Sequence, residues 1–219
     1  MDANNSPKPQ SPLDEVAQYN MERWDALVEA NALFTRPAWT MDEESARQKV
    51  DPQGWLGPIA GKKVLCLAGG GGQQSVAFHH LGAQVTVFDI SAGQLARDRE
   101  MAAHHGFMLE AVQGDMRDLS ALPADTYDIV YHAYSIGFVP KASVVFEQVA
   151  RVIRAGGVYH FHCANPFYLG MTERDWRGNG YLLRHPYIEG EMVSYDDQEW
   201  VYQRPPSESS EGEARPTIN

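Results

Sequence analysis

The sequence predicts an α/β fold, a three-layer sandwich in which helices cover both faces of a mostly parallel sheet. Three observations predict it. Short apolar runs alternate with amphipathic stretches from residue 61 onward, as crossover units require. The apolar runs are nearly continuous, so both faces of the sheet are expected to be covered. Glycines stand where runs of the first kind give way to the second, and again where helices should stop.

The elements follow in order. Val16, Tyr19, Trp24, Leu27, Val28 and Leu33 recur at three- and four-residue spacings, which predicts a helix. Arg36-Pro37 ends it. Residues 40–60 read as a polar connector carrying Pro52, Gly54, Gly57 and Pro58. Residues 63–68 (KVLCLA) are a buried strand, and 73–81 a helix stopped by Gly82. Residues 84–89 (QVTVFD) are a second strand, rich in β-branched side chains. Ser91 caps a helix that reaches about His105 and stops at Gly106. Residues 107–113 and 127–132 are the third and fourth strands. Residues 141–154 form an amphipathic helix with Val144, Val145, Val149 and Val152. A turn at Ala155-Gly156-Gly157 leads into a fifth strand, 158–163.

The expected organisation is a flexible tail over 1–15, a helical cap and connector over 16–60, and a cofactor-binding core over 61–167. A lid or hairpin is expected over 168–202, and a disordered tail rich in Pro, Ser and Glu over 203–219.

Composition narrows the function. The chain has 219 residues and a net charge of −11, which disfavours a general nucleic-acid binder. No apolar run approaches a membrane span, and the polar N-terminus lacks the core of a signal peptide. Cys66 and Cys163 both fall in expected strands and read as buried core thiols in a reducing, cytoplasmic setting. The two cysteines and eight histidines show no metal-ligand spacing, so no metal site is expected.

In such sheets, ligands bind beyond the carboxyl ends of the strands. Ala68-Gly69-Gly70-Gly71-Gly72-Gln73 follows the first strand. Glycines there allow a sharp turn and close approach of a ligand, and the helix start offers free N–H groups to an anion. Asp89 ends the second strand, where a carboxylate can accept both hydroxyls of a ribose. It can equally cap the next helix. Gly114-Asp115-Met116 follows the third strand, where the carboxylate can accept an amino group of a base. A dinucleotide fingerprint needs a third small residue. Counted from Gly69 that position holds Gln74, and from Gly70 it holds Ser75.

The segments VLCLAGGGGQQS, VTVFDIS, VQGDMRDLS, YDIVYHAYSIGFVP and VARVIRAGG resemble, in their order, the motifs of class I S-adenosylmethionine-dependent methyltransferases. The likeness covers roughly residues 16 to 167 and is strongest to a bacterial small-molecule-type group. It implies a Rossmann-like sandwich and S-adenosylmethionine as cofactor. It places Gly70 and Gly72 near the methionine part, with Ala68, Gly69 and Gln73 beside them. It places Asp89 and Ile90 at the ribose, and Gly114, Asp115 and Met116 at the adenine. It also folds Tyr19, Trp24 and the 34–37 segment over the cofactor. Two departures stand out. The wider family has an acidic residue where Cys66 stands and Gly where Ala68 stands. It also adds a helix and two strands after the fifth strand. The short remainder after Cys163 leads us to expect those C-terminal strands to be missing.

The polar residues after the fourth strand are His132, Tyr134 and Ser135. His132 can take a proton from the acceptor, with Tyr134 beside it, or can simply hydrogen-bond the cofactor. His160 and His162 share one sheet face and are expected to pack under helices. Asn165-Pro166-Phe167 would line the acceptor pocket, and Tyr168, Trp176, Tyr181 and Tyr187 would form a lid or its core. Residues 191–202 alternate enough for a strand or hairpin. The expected activity is methyl transfer to a small molecule, with no membrane or nucleic-acid partner. The alternatives are a non-catalytic S-adenosylmethionine-binding protein and a nicotinamide-dependent oxidoreductase.

Overall fold

The computed structural model describes residues 13–165 and 176–183. Helix α1 spans Glu15–Glu29 and starts where Asp14 accepts the Ala17 N–H at 2.9 Å. A 3₁₀ turn, Leu33–Thr35, follows. Helix α2, Glu43–Val50, lies inside the stretch expected to be a connector. That expectation is corrected by its cap: Asp42 accepts the Ser45 N–H at 2.8 Å. Only Ala46 and Val50 are buried on α2, so its apolar periodicity is too thin to read.

The remaining elements alternate. They are β1 (Lys63–Leu67), α3 (Gln74–His80), β2 (Gln84–Asp89), α4 (Ala92–His105), β3 (Leu109–Gln113), β4 (Tyr127–Ala133), α5 (Ala142–Val152) and β5 (Ile153–His162). Ser91 caps α4 through Gln94 N–H, and Gly106, at φ 73°, ends it.

The five strands are all parallel, in the order β3-β2-β1-β4-β5. The order reverses between β1 and β4, which opens a crevice at their carboxyl ends. Two apolar clusters fill the two faces. One joins Val64, Cys66, Val87 and Ile129 to Val50, Phe78 and Leu95 of α2, α3 and α4. The other joins Leu65, Leu67, Phe88 and Val130 to Val145, Val149 and Val152 of α5. Each such fully buried side chain contributes about 1.5–3 kcal/mol. This is the expected three-layer α/β sandwich.

The fifth strand differs in detail. Gly156 and Gly157 lie within β5 rather than in a turn before it, and the pairing with β4 shifts register between Tyr127 and Ile129. A Cβ on Gly157 would stand 3.0 Å from the Asp128 carbonyl oxygen, so the two backbones approach too closely for a side chain. Cys66 is fully buried, but Cys163 is exposed, which corrects its reading as a core thiol. The 1–12 tail, Pro166, Phe167, Tyr168, Tyr187, the 191–202 hairpin and the 203–219 tail lie outside the described residues. Trp176 and Tyr181, expected in a lid, form an isolated antiparallel bridge with ring centroids 5.1 Å apart.

Candidate functional site

A cavity of about 630 Å³ opens at the carboxyl ends of the strands, within the range of small-molecule sites. Gly69 and Gly70 form its floor, and the four glycines of the run do different things. Gly71 and Gly72 adopt φ of 106° and 77°, which a side chain strongly disfavours. Gly69 and Gly70 instead need the space: a Cβ would stand 2.4 Å from the Gln74 Oε1 and 2.6 Å from the Gln94 Cβ, respectively. Gly72 turns toward α4, where a Cβ would meet Met101 at 2.6 Å, and it does not line the cavity. Ala68 holds φ at 46°, a left-handed conformation that suits glycine and costs an L-residue about 1–2 kcal/mol.

One side chain that sequence reasoning missed organises this loop. Asp98, fully buried on α4, accepts N–H groups from Gly71 at 2.8 Å and Gly72 at 3.0 Å, and the Ser75 hydroxyl at 2.5 Å. Burial, reinforced by the Asp89 charge, lifts its carboxyl to about 7 despite these bonds. A signal existed in the sequence. Gln94 and Asp98 stand four apart among Leu95, Met101 and Ala102, so the buried stripe of α4 carries two polar groups.

Asp89 sits at the tip of β2 and lines the cavity. Its two oxygens accept the Gly70 and Ser91 N–H groups, each at 2.9 Å. Burial raises this carboxyl to about 6. It is therefore mostly ionised at neutral pH and retains lone pairs for further donors. Ile90, Gly114, Asp115 and Met116 line the same end. Asp115 is engaged by the Arg117 guanidinium, with contacts of 2.5–3.1 Å, and Arg117 also pairs with Asp14.

The roof is aromatic. Trp24 meets Phe34 and Phe138 edge-on, with centroids 5.7 and 5.8 Å apart, and all three line the cavity. Gln73 reaches from the loop to the Phe34 and Arg36 carbonyl oxygens at 3.1 and 2.8 Å, which ties roof to floor. Asn20 ties α1 to the Phe138 carbonyl at 3.0 Å. Tyr19, expected in this roof, is half exposed and does not line the cavity.

The two residues expected to carry catalysis part company. Tyr134 lines the cavity with φ at 57°, strained backbone of the kind that gathers at functional sites. His132 does not line it. It shares a sheet face with Val130, fully buried on the α5 side, where its Nδ1 lies 2.9 Å from the Tyr159 hydroxyl. Burial holds its pKa down at about 4. His160 and His162, expected under helices, instead sit beside the crevice with Nε2 atoms 3.2 Å apart, and His162 lines the cavity. This corrects the expectation: β5 presents these residues on the face of Tyr131, which stacks on His160 at 5.2 Å.

The electrostatic character is acceptor-rich. Besides Asp89 and Asp115, three buried amide oxygens on cavity-lining residues lack a hydrogen-bond partner: Asn20 Oδ1, Gln74 Oε1 and Gln94 Oε1. A buried acceptor without a donor costs about 1–3 kcal/mol, so the site suits a ligand rich in N–H and O–H groups or carrying positive charge. Gln74 also folds its side chain over Gly69, where a dinucleotide site needs a small residue.

A family model described as "Methyltransferase domain" matches residues 65–161. The chain is 33% identical over 177 residues to an uncharacterized methyltransferase, YbaJ, of Bacillus subtilis (strain 168), covering 76% of this chain and 69% of that one. It is 34% identical over 109 residues to the ubiquinone biosynthesis O-methyltransferase of Cronobacter sakazakii (strain ATCC BAA-894), covering 50% of this chain and 45% of that protein. The chain thus spans about half the length of the second relative. Among solved structures, it resembles an S-adenosylmethionine-dependent methyltransferase from Mesorhizobium loti, with a TM-score of 0.51 and 26% identity over 57% of each chain. It also resembles the DhpI-SAM-HEP complex, with a TM-score of 0.52 and 25% identity, covering 69% of this chain and 67% of that one.

Proposed function

This chain belongs to the class I S-adenosylmethionine-dependent methyltransferases, and on that basis we propose that it methylates a small molecule held in the cavity above β4 and β5. The observation that carries the reading is the placing of Asp89 and Asp115 at the tips of neighbouring strands around one cavity floored by Gly69 and Gly70.

The unpartnered oxygens of Asn20, Gln74 and Gln94, with Asp89 and Asp115, fit the cofactor, whose ammonium, ribose hydroxyls and adenine amino group are all donors. Asp89 accepts the ribose hydroxyls, while its bonds from Gly70 and Ser91 hold the carboxylate in place. Asp115 and Met116 receive the adenine. Gly69, Gly70, Gln73 and Ala68 flank the amino-acid end, with Gln94 and Gln74 offering oxygens to the ammonium. When bound, S-adenosylmethionine supplies an electrophilic methyl group on a sulfonium sulfur. Trp24, Phe34 and Phe138 exclude water from that region. Such positioning can reach effective molarities of ~10⁵–10⁸ M.

A small acceptor suits the net charge of −11, which repels nucleic acid. No described helix is long and apolar enough to cross a membrane. Both cysteines are free, which supports a cytoplasmic setting.

Isothermal titration of the full-length chain with S-adenosylhomocysteine tests the reading. Micromolar binding is expected. Heat with NADH and none with S-adenosylhomocysteine would return the oxidoreductase alternative.

A further inference from the structure

The cavity is longer than its nucleoside end. Beyond Asp89 and Asp115 it continues over β4 and β5, bounded by Tyr131, Tyr134 and His162 on the sheet side and by Lys49 and Gln53 on the α2 side. The ring geometry there is ordered. Tyr131 lies flat on His160, with 5.2 Å between centroids and 11° between planes. Tyr134 lies flat on His162, at 5.3 Å and 15°. The two stacks meet almost at right angles, since the His160 and His162 planes differ by 71°. Tyr134 is 68% exposed, so a broad aromatic face is open, and its backbone holds that face in place at a strained φ.

The charges at this end are distinctive. Lys49 and Arg117 are the lysine and arginine among the described lining residues. Arg117 is taken by Asp14 and Asp115. Lys49 has no acidic partner among the described residues. The nearest acid in sequence, Asp51, accepts instead from Arg47 at 3.4 Å and from the Leu56 N–H at 3.1 Å. Lys49 lines the cavity while remaining open to solvent, and the desolvation it does suffer lowers its pKa. An acidic protein thus keeps an uncompensated cation at one end of its main cavity.

We propose that the β4–β5 end of the cavity takes a planar aromatic carboxylate bearing a hydroxyl group, its ring against the Tyr134–His162 stack and its carboxylate on Lys49. Flat rings select a planar ligand because offset stacking needs two faces. The ammonium selects the anion by a charge-assisted hydrogen bond. The Gln53 amide, the Tyr134 hydroxyl and the unpartnered His162 Nδ1 are neutral groups at this end for the ligand hydroxyl. This deepens the methyltransferase reading and rests on it, because the nucleoside is taken to fill the other end.

The test is calorimetry on the full-length chain in two stages. S-adenosylhomocysteine is titrated first, and no heat at that stage overturns the cofactor reading and this proposal together. The saturated protein is then titrated with 3,4-dihydroxybenzoate, catechol and cyclohexanecarboxylate. The aromatic acid should bind at least about tenfold more tightly than the neutral aromatic, the size of one charge-assisted bond, and about two- to tenfold more tightly than the non-planar acid, which loses the ring stacking. Lys49→Met should remove the advantage over catechol and leave S-adenosylhomocysteine binding unchanged, while Lys49→Arg should keep most of it. With the nucleoside bound, no heat from 3,4-dihydroxybenzoate, or equal affinity in Lys49→Met, overturns the proposal and leaves the cofactor reading standing.

Discussion

Asp98 accepts the backbone N–H of Gly71 at 2.8 Å although 27 residues separate them in the chain. The bond fixes the second half of the glycine loop from below, and a second one to Gly72 at 3.0 Å reinforces it.

Asp98→Ala should therefore harm both the fold and the cofactor site. Two buried N–H groups and the Ser75 hydroxyl lose their acceptor. We expect a loss of about 1–3 kcal/mol in urea unfolding, tempered because a buried carboxylate is removed with them. Affinity for S-adenosylhomocysteine should fall at least about tenfold. Unchanged affinity in the variant would show that the loop does not depend on this residue.

Asp89→Ala removes the proposed acceptor of the ribose hydroxyls. Calorimetry should record a loss of at least about tenfold in affinity, since hydrogen bonds to a charged group are worth about 1.5–3 kcal/mol. Wild-type binding should also weaken as the pH is lowered through about 6, where Asp89 takes up a proton. A pH-independent affinity from 7.5 to 5 would count against ribose binding by Asp89.

Ala68→Gly should stabilise. Ala68 holds φ at 46°, and relief of that conformation outweighs the added backbone freedom of glycine by up to about 1 kcal/mol. Thermal unfolding should move upward by a few degrees. A lower midpoint would mean that the methyl group contributes more through packing than it costs through strain.

His132 should shape the acid limb of stability. Its pKa is about 4 in the folded chain, against an ordinary value of 6.5. The unfolded chain therefore takes the proton first, and stability is lost as the pH falls from 6.5 toward 4. Asp89 and Asp98 are shifted upward, so their contribution runs the other way and falls as the pH rises toward about 7. His132→Gln cannot titrate and keeps both carboxylates. Between pH 6.5 and 4 it should lose less stability than wild type, by up to about 3 kcal/mol. Parallel pH curves for the two proteins would remove His132 from this account.

The sheet was legible because its strands are short apolar runs closed by Gly or Asp, and β2 runs over the residues read for it, 84–89. Gly70, Asp89 and Asp115 were legible for a topological reason: they stand at strand tips, where any such sheet binds its ligand. Helix α2 was not, because EESARQKV turns only Ala46 and Val50 inward. Asp98 was hidden because an acid in a helix ordinarily faces water. The histidines show a further limit. When both faces of a strand are apolar, alternation groups residues into two sets but does not say which set faces which layer. The placing of His132 on the α5 side and of His162 at the cavity was therefore not legible in the sequence.

The attachment of α1 has a kinetic consequence. Leu27 and Ala32 form an apolar cluster of their own, with Trp24 against it, apart from the two large ones. Trp24 also meets Phe138 edge-on, and polar bonds complete the connection: Asp25 holds the Ser91 hydroxyl at 2.5 Å and the Gly93 N–H at 3.0 Å, Arg97 reaches the Val28 and Thr35 carbonyls, and Asn20 reaches Phe138. Directional bonds to one rigid rod tend to break together, so we expect the helix to detach and reattach as one unit. Opening it would free Trp24 and uncover the nucleoside end without disturbing either large cluster. Amide hydrogen exchange should accordingly be faster across α1 than across β1 in the free protein, and should slow selectively in α1 once S-adenosylhomocysteine is bound. The release of product would then be timed by a helix rather than by the sheet.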